Sequence, residues 1–347
     1  MKKSLRYMAL TGAGLLVLGL LLSLCGFFTG GTPWIYADRT GVHVGDTAKR
    51  NVQISEELAA FQELQVDVSM ADVYVVAGDR YAIDIQYTDS YDEPRYSLEG
   101  GVLKVWDQEQ GGSSGWRLLN FNLMGLTGNG SDKVVITVPS SAGLRQMELC
   151  SDMGGIQCAQ GAEKLLLNAA LGDIVLKDFR AGQVTVTADC GSCEVAGVTA
   201  DSLELSDNLG SAIVERVRCA SFTADMDNGT LTVRDSSLGR SNVESSLGDV
   251  IFEQVSTDGL EAQCDNGSMD LTGAFAGKSR LLNSLGNIRV TTSLPQESCR
   301  YEITLDLGSA YVNGEQVQGG QLFGGLDSAA NRIEVQADLG SVWISFP

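Results

Sequence analysis

The chain has 347 residues, which allows one long or two ordinary domains, and its 44% hydrophobic residues are enough for a packed core rather than a disordered chain. Its 41 glycines and only 5 prolines favour many short strands joined by tight turns. The formal net charge of −20 argues against nucleic acid as a partner, because such a surface repels phosphate groups.

The chain begins with a segment that is typical of a membrane anchor. Met8–Phe28 contains no charged residue and is rich in Leu, and about 20 apolar residues span a bilayer as a helix. Lys2, Lys3 and Arg6 precede it, so residues 1–7 are expected to stay in the cytoplasm and the remainder to be exported. We therefore predict a single-pass protein of the cell membrane with an extracytoplasmic C-terminal domain.

Three other interpretations of this segment are weaker. A cleaved signal peptide usually has a shorter apolar core of about 7–15 residues, although Ile35-Tyr36-Ala37 resembles a cleavage site. A lipoprotein would carry a small residue before its acylated cysteine, whereas Leu24 precedes Cys25. The length and terminal position of the segment argue against a buried core helix.

Between the anchor and the repeats, the sequence predicts a linker and a first β region. Residues 29–63 are expected to form a juxtamembrane linker, with a short helix over Glu56–Leu64. Residues 64–148 are expected to form an N-terminal β region, with a Gly- and Asn-rich insertion over 107–132 that caps the domain. The strands predicted in this region lie at Leu64–Val76, Ala82–Tyr87, Tyr96–Leu98, Val102–Trp106 and Lys133–Val138.

A short pattern recurs over residues 149–347: an apolar residue, three variable residues, Leu-Gly, then Asp, Ser or Asn, and two apolar residues that alternate with a variable one. Leu167–Leu176 is one copy. From Gly172 to Gly286 the central glycines follow one another at a constant interval, whereas the intervals before Gly308 and Gly340 are longer. The predicted turn glycines are Gly154, Gly172, Gly191, Gly210, Gly229, Gly248, Gly267, Gly286, Gly308 and Gly340.

Equal repeats of this kind predict an all-β fold, a parallel β-solenoid or β-helix with rungs of about 19 residues. Apolar residues alternate on both sides of each glycine, as they do over Val184–Cys190, so both flanking strands are expected to bury one face. Glycine suits the turn between them because it takes positive φ without penalty. Successive copies can then stack in parallel at about 4.8 Å. A second corner is expected near Lys177–Gly182, and a turn made of two repeats stays open as an alternative.

Aspartates recur on one predicted edge of the coil. Asp189, Asp227 and Asp265 each precede a turn glycine by two positions in alternate copies, which places them about 9–10 Å apart. Alternation about halves the repulsion between carboxylates on neighbouring turns. This acidic edge is a speculative binding site, open to three interpretations: solvated turn carboxylates, Ca²⁺ ligands, or the acid and base of a glycan-cleaving enzyme. No cofactor is predicted apart from Ca²⁺ under the second of these interpretations.

The cysteines, the histidine and the last tryptophan complete the candidate chemistry. Of eight cysteines only Cys190-Gly-Ser-Cys193 is a close pair, and a four-thiolate metal site usually needs a second one, so no metal site is predicted. Buried free thiols are expected, with disulfides as the alternative. The single histidine, His43, lies in the linker, so no catalytic residue is assigned. Trp343 is expected to face outward, as a binding aromatic or an end cap.

The recurring Leu-Gly-Asp/Ser-apolar strands behind a single anchor resemble the bacterial putative-adhesin domain of unknown function with β-strand repeats. LiaG-like cell-envelope proteins of Gram-positive bacteria are similar. The resemblance covers about residues 64–346 and implies a β-helical extracytoplasmic domain in a bacterium of the Gram-positive type. It supplies no catalytic residues.

These observations predict a non-enzymatic, adhesin-like binding or scaffold protein of the cell envelope. Met8–Phe28 would hold it in the membrane, and its β-surface would bind a cell-wall polymer or an envelope protein. One alternative is a glycan-processing β-helix enzyme that uses clustered Asp, and another is an accessory protein in envelope-stress sensing.

Overall fold

We describe the protein from a computed structural model, which covers residues 19, 35–38, 41–44, 50–90, 94–107, 132–317 and 321–347. The predicted anchor, apart from Gly19, and most of the predicted insertion lie outside the described residues. Within the part that is described, no helix has the length and apolarity needed to cross a membrane. The chain divides into two compact units, one of residues 1–50 and 109–130, the other of residues 51–108 and 131–347.

The first unit contains one antiparallel pair of strands, β1 (Ile35–Asp38) and β2 (Gly41–Val44), and His43 lies in β2. In the second unit the described residues are mostly β-strand, with a short 3-10 helix at Gln296–Ser298. Its strands are β3 (Arg50–Glu57), β4 (Glu63–Val68), β5 (Asp72–Gly78), β6 (Ala82–Ser90), β7 (Arg95–Glu99), β8 (Val102–Trp106), β9 (Lys133–Pro139), β10 (Leu144–Ser151), β11 (Ile156–Cys158), β12 (Ala162–Leu171), β13 (Ile174–Lys177), β14 (Gln183–Cys190), β15 (Cys193–Ala196), β16 (Thr199–Leu209), β17 (Ala212–Glu215), β18 (Arg218–Asn228), β19 (Leu231–Arg234), β20 (Ser237–Leu247), β21 (Val250–Asn266), β22 (Met269–Leu285), β23 (Ile288–Thr292), β24 (Cys299–Leu307), β25 (Ala310–Val312), β26 (Glu315–Val317), β27 (Gln321–Gly325), β28 (Asn331–Leu339) and β29 (Val342–Ser345).

The regular part of the second unit is a coil in which each turn holds one copy of the repeat. Long strands such as β14, β16 and β18 pair in parallel with one another, and so do the short strands that follow them, such as β15, β17 and β19. Val186 pairs with Leu205, and Leu205 pairs with Ala224. This register confirms the predicted parallel stacking and gives a turn of one repeat rather than two.

The second predicted corner is present in each regular turn. Gly197, Arg216 and Asp235 occupy equivalent positions on three successive turns and have φ values of 67°, 52° and 48°. After this corner the chain runs through a short stretch, in which Thr199 pairs with Arg218, before the next long strand continues. Each turn therefore has three sides, and the side formed by the long strands is the largest.

A continuous apolar core fills the coil. Alternate residues of each strand point inward, as Val184, Val186 and Ala188 do, and none of these three is more than 1% exposed. Parallel pairing stacks them against equivalent residues of the next turn, such as Leu203 and Leu205. Burying a Val or Leu side chain contributes about 1.5–3 kcal/mol, so every turn adds a similar share to the stability of the coil.

At both ends of the coil the order of the turns in space differs from their order in the chain. The last strands, β28 and β29, lie between β22 and β23 on one side and β24 and β25 on the other. At the opposite end, β4 and β5 lie between the β8–β9 turn and the β10–β11 turn. The irregular intervals before Gly308 and Gly340 therefore have a structural cause. After β23 the chain skips one position in the stack to form β24 and β25, and β28 and β29 later fill the skipped position.

Antiparallel strands follow the outermost parallel turn at each end. β7 pairs with β8 and β6 with β9 at one end, while β26 pairs with β25 and β27 with β24 at the other. Two of these hairpins turn through Gly100-Gly101 and Asn313-Gly314, whose φ values lie between 51° and 82°. Positive φ at both central residues is what a tight two-residue hairpin turn requires.

The N-terminal β region agrees with the sequence except before its first predicted strand. The strands predicted over Ala82–Tyr87, Val102–Trp106 and Lys133–Val138 are confirmed as β6, β8 and β9. The short helix predicted over Glu56–Leu64 is wrong, because β3 continues to Glu57, β4 begins at Glu63 and no residue between them is helical. Part of the predicted linker thus belongs to the sheet, where β3 pairs with β6.

Candidate functional site

The predicted turn glycines form one column along the coil. A Cβ on Gly172 would lie 2.3 Å from the carbonyl oxygen of Gly154, and one on Gly229 would lie 1.5 Å from that of Gly210. Gly229 has a positive φ of 149°, whereas Gly172 is not in that region. Close approach of neighbouring turns is therefore the shared reason for glycine. The column runs in the order Gly154, Gly172, Gly191, Gly210, Gly229, Gly248, Gly267, Gly286, Gly340 and Gly308.

The polar residue after several of the turn glycines accepts a hydrogen bond from an amide of the neighbouring turn. The amide of Ser192 donates to Asp173 Oδ1 at 2.8 Å, and the amide of Ser268 donates to Asp249 Oδ1 at the same distance. The short residues Asp, Ser and Asn all supply an acceptor at this position. Sequence reasoning explained the alternation of aspartates by charge repulsion alone and missed this hydrogen bond. The restriction of the position after the glycine to Asp, Ser or Asn was the sequence feature that indicated it.

The predicted acidic edge is exposed and is not a compact cluster. Asp189, Asp227 and Asp265 are all exposed, with Asn208 and Ser246 on the intervening turns. The Asn208 amide donates to Asp189 Oδ1 at 2.8 Å, so the spacer residue also pairs with the carboxylate. Among the described residues, no three His, Cys, Asp or Glu side chains are grouped so that they could hold a metal ion.

Three further aspartates extend this edge beyond the three that were predicted. Asp152, Asp306 and Asp338 also precede turn glycines by two positions, and the pairing of β24 with β28 places Asp306 and Asp338 on neighbouring turns. All three are exposed. We call the six residues Asp152, Asp189, Asp227, Asp265, Asp338 and Asp306 the acidic column. Its last two members escaped sequence reasoning because the exchange of turns at the C-terminal end is not visible in the chain order.

The residue immediately before each turn glycine is exposed or half-buried, although simple alternation predicts that it faces inward. Asp189 is left out of the pairing between Ala188 and Cys190, and neither Asp189 nor Cys190 is buried. The strand therefore changes direction just before the glycine. At this position Leu171 and Leu209 are 51% and 55% exposed.

Parallel register aligns these residues into an exposed stripe beside the acidic column. Every leucine in the stripe is between 47% and 66% exposed. Met153 and Met70, which precede Gly154 and Ala71, are exposed in the same way. We call the stripe the leucine ridge, and in spatial order it consists of Leu171, Cys190, Leu209, Asn228, Leu247, Asn266, Leu285, Leu339 and Leu307.

The repeat is shared with a known family. The model of the family called Toastrack DUF4097 matches residues 61–215 and 197–345. The chain belongs to the Toastrack DUF4097 family. The two matches together cover nearly the whole of the predicted β region and its repeats, which confirms the resemblance to adhesin-like domains of unknown function.

Several solved structures are similar to this Toastrack chain. Two are described as putative adhesins: one from Bacteroides fragilis, with 11% identity and a TM-score of 0.40, and one from Parabacteroides distasonis, with 12% identity and a TM-score of 0.46. Each match covers 86% of this chain and 98% of the other. A putative cell adhesion protein from Clostridium sporogenes is 12% identical, with a TM-score of 0.21, over 86% of this chain and all of the other. No functionally curated protein matches the sequence.

Trp343 of the Toastrack domain lies in a stack rather than on an open surface. Its ring is nearly parallel to that of Tyr311, with 5.5 Å between the ring centres, and the Arg289 guanidinium lies 5.5 Å from the centre of the Trp343 ring. Tyr311 and Arg289 belong to the two turns that flank Trp343. Both ring faces are thus in contact with neighbouring turns, which supports a structural role for Trp343 over stacking on a sugar.

A shallow groove crosses the long strands near the C-terminal end. Its charged walls are Arg280, Glu302, Arg332 and Glu334. Arg332 pairs with Glu302 at 3.0 Å and with Glu334 at 2.7 Å, while Arg280 pairs with Glu261 at 3.2 Å. The charges of the groove neutralise one another, so it presents no concentrated field to a ligand.

Seven cysteines of the described residues are free thiols, which agrees with the first of the two predicted states. Burial raises the pKa of Cys158 to about 12 and that of Cys219 to about 11, so both are protonated and unreactive at neutral pH. Cys193 is buried, whereas Cys190 lies on the leucine ridge. The two cysteines of this close pair therefore lie in different environments, Cys193 in the core and Cys190 at the surface. Cys25 lies outside the described residues.

The carboxyl group of Asp207 is buried at an inward-facing position. The equivalent residue is Ala188 on one neighbouring turn and Met226 on the other. It is fully buried, and neither carboxylate oxygen has a hydrogen-bond partner among the described residues. Burial raises the pKa of Asp207 to about 6, and the nearby Leu209 amide opposes this only weakly because it is not in hydrogen-bonding geometry. Sequence reasoning missed this residue, whose one signal was a charge at an inward position.

Proposed function

We propose that this Toastrack protein is a non-enzymatic, adhesin-like binding or scaffold protein of the cell envelope. Met8–Phe28 would hold it in the membrane, and the coil would be displayed on the outer face to bind a protein or wall polymer. The observation that carries the proposal is the leucine ridge, because singly scattered exposed leucines are normal, whereas several exposed leucines aligned on one edge typically mark an interaction surface.

The arrangement of the acidic column favours binding over glycan cleavage. Its carboxylates are exposed on an edge of the coil, and the side chain of Asp189 is engaged by Asn208. The groove described above is lined by paired charges and contains none of these aspartates. A rigid, regular surface is what repeat proteins use to bind extended partners.

Cross-linking in intact cells tests the proposal. The full chain carries a C-terminal affinity tag, the cells are treated with a membrane-impermeant cross-linker, and captured material is identified by mass spectrometry. A discrete envelope protein or wall fragment, enriched over a mock-tagged strain, is the expected result. Failure to capture any envelope component, or release of reducing sugar from purified wall by the full chain, would contradict it.

Membrane attachment and orientation are tested separately. After cell fractionation we expect the tagged chain in the membrane pellet, and external protease should remove the tag from intact cells. Recovery in the soluble fraction, or full protection of the tag from protease, would refute the anchored, outward-facing arrangement.

A further inference from the structure

We propose that the leucine ridge is the docking site for a cationic amphipathic α-helix of a partner protein. The inference rests on the proposed binding function and specifies the chemistry of the partner. Three features of the ridge lead to it: its row of exposed leucines, the acidic column beside it and the spacing of its leucines.

The ridge is a long row of mostly apolar residues with no cover within the described part of the chain. Nine neighbouring turns contribute to it, which corresponds to about 38 Å at about 4.8 Å per turn, and six of the nine residues are leucines. These leucines are about half exposed, whereas the exposed Ile213 on the short-strand side is isolated and only 39% exposed. Six exposed leucines aligned on one edge differ from the singly scattered exposure that is normal on a monomer.

The negative charge beside the ridge indicates that the partner carries positive charge. The acidic column runs parallel to the ridge, one residue away from it in each turn that contributes to both. The chain as a whole has a formal net charge of −20. A partner that buries the leucines must therefore bring its own flank close to exposed carboxylates, and Lys or Arg on that flank would make favourable pairs.

The spacing of the leucines favours a helix. Between Leu171 and Leu285 a leucine occurs on every second turn, about 9.6 Å apart, and Cys190, Asn228 and Asn266 occupy the turns between. Residues seven apart on a helix are about 10.5 Å apart along its axis, so side chains at that interval reach successive leucines. A helix of about 20 residues spans the roughly 29 Å between the two end positions.

A second copy of the same chain fits the ridge poorly. If the twofold axis of a dimer ran across the ridge, the acidic columns of the two copies would face each other. If the axis ran along the ridge, each leucine would meet the same leucine of the partner, so the large residues could not enter the gaps at Asn228 and Asn266. Neither arrangement satisfies both charge and shape, whereas a cationic helix satisfies both.

The probe is a synthetic helix of about 21 residues with Leu at the a and d positions of a heptad repeat and Lys at the flanking e and g positions. Its control has the same leucines with Glu in place of Lys. Fluorescence anisotropy measures binding to the full chain in nanodiscs of zwitterionic lipid, and empty nanodiscs provide the background for peptide that binds lipid alone.

The double variant Leu209→Asn with Leu247→Asn tests the ridge. Asparagine already occupies two positions of the leucine ridge, Asn228 and Asn266, so the coil should accept it at Leu209 and Leu247. We expect the variant to bind the Lys peptide about 10- to 100-fold more weakly, because two half-exposed leucines no longer bury apolar surface. Ile213→Asn, which removes an exposed apolar residue away from the ridge, should leave the affinity within about twofold.

The acidic column is tested by the triple variant Asp189→Asn, Asp227→Asn and Asp265→Asn. We expect it to weaken binding by about fivefold or more and to flatten the salt dependence, since exposed ion pairs are individually modest and screened by salt. This variant also decides the case if the leucine variant fails to fold, as judged by circular dichroism. The triple variant Asp79→Asn, Asp84→Asn and Asp201→Asn, which removes three exposed carboxylates elsewhere, is its matched control.

Equal binding of the Lys and Glu peptides would overturn the proposal, as would an affinity that the ridge and column variants do not change. Self-association of the full chain that the leucine variant abolishes, seen by sedimentation, would replace the helix with a second copy. If the leucine variant still captures the same envelope component in the cross-linking experiment, this inference fails while the proposed function stands. If the wild-type chain captures nothing, the proposed function itself fails.

Discussion

Gly229 and Gly210 approach each other so closely that a Cβ on Gly229 would lie 1.5 Å from the Gly210 carbonyl oxygen. The obstructing atom is main chain of a paired turn, so it cannot move aside without breaking the register. We expect Gly229→Ala to lower the free energy of unfolding by about 3 kcal/mol or more, as overpacking and a forced φ of 149° combine. Urea-dependent pulse proteolysis of the full chain in detergent measures the loss.

Gly143→Ala is the control for that substitution. Gly143 has no atom within 4 Å of an added Cβ and does not have a positive φ. We expect a change within about 0.5 kcal/mol, as for an ordinary surface substitution. If the two variants were equally stable, close approach of the turns would not be the reason for glycine in the column.

Asp207 should make the stability of the coil depend on pH. Its pKa rises from 3.8 in the unfolded chain to about 6 in the folded one, so the folded state binds more protons between those values. The free energy of unfolding therefore falls as the pH rises from about 4 to about 6 and stays lower above that. The loss is on the order of 3 kcal/mol.

Asp207→Ala should remove this dependence and stabilise the protein at pH 7. Alanine already occupies the equivalent position at Ala188, so the turn accepts it. Thermal unfolding of both proteins at pH 4, 5, 6 and 7 measures the difference, and the exposed Asp225→Ala serves as the control. A gain at pH 7 that persists unchanged at pH 4 would contradict the role given to the carboxyl group.

The hydrogen bond from the Ser268 amide to Asp249 Oδ1 should contribute to the cohesion of neighbouring turns. We expect Asp249→Ala to cost about 1 kcal/mol in the free energy of unfolding. Asp249→Asn should retain most of the stability, because an amide oxygen also accepts a hydrogen bond. Hydrogen exchange of the Ser268 amide reports the contact directly, and protection that survives in Asp249→Ala would show that the side chain is dispensable.

The cysteines should differ in their reactivity toward alkylating reagents. Cys190, on the leucine ridge, is partly accessible, whereas Cys158 and Cys193 are buried and burial raises their pKa. We expect iodoacetamide at pH 8 to modify Cys190 well before these two, as followed by peptide mapping of the native chain. Modification of Cys193 at the same rate as Cys190 would show that the coil opens at this turn.

The last strands of the chain should exchange their amide hydrogens as slowly as the central turns. β28 is paired with β22 on one side and with β24 on the other. A C-terminal segment at the outer edge of a coil would instead fray. Hydrogen exchange with mass spectrometry distinguishes the two, and rapid exchange over residues 331–339 would contradict the observed order of turns.

The architecture of the coil could be predicted from sequence because every regular turn repeats the same local constraint. Gly172 and its equivalents each contact the backbone of the neighbouring turn, and this contact recurs once per turn. The spacing of the glycines in sequence therefore predicts which residues pair in the parallel register. The order of turns at the C-terminal end could not be predicted, because the intervals before Gly308 and Gly340 reveal chain length but not which strands become neighbours. Which strands pair depends on contacts between residues far apart in the sequence, and the local repeat pattern does not reveal those contacts.

The candidate site was harder to predict for a local reason. Strict alternation assigns Cys190 and Leu209 to the core, and only the change of strand direction before each glycine exposes them. The structure shows the three predicted aspartates at exposed positions, whereas alternation had assigned their neighbours on the ridge to the buried face. Asp207 differs in sequence from the exposed carboxylates only by its inward position in the alternation, which pairs it with Ala188.

The return of the final strands into an interior turn also constrains how such a molecule can change in size. A repeat appended to either end of the gene product would find the outermost positions occupied by antiparallel hairpins. We therefore expect a change in the number of turns to be tolerated in the middle of the coil rather than at its ends.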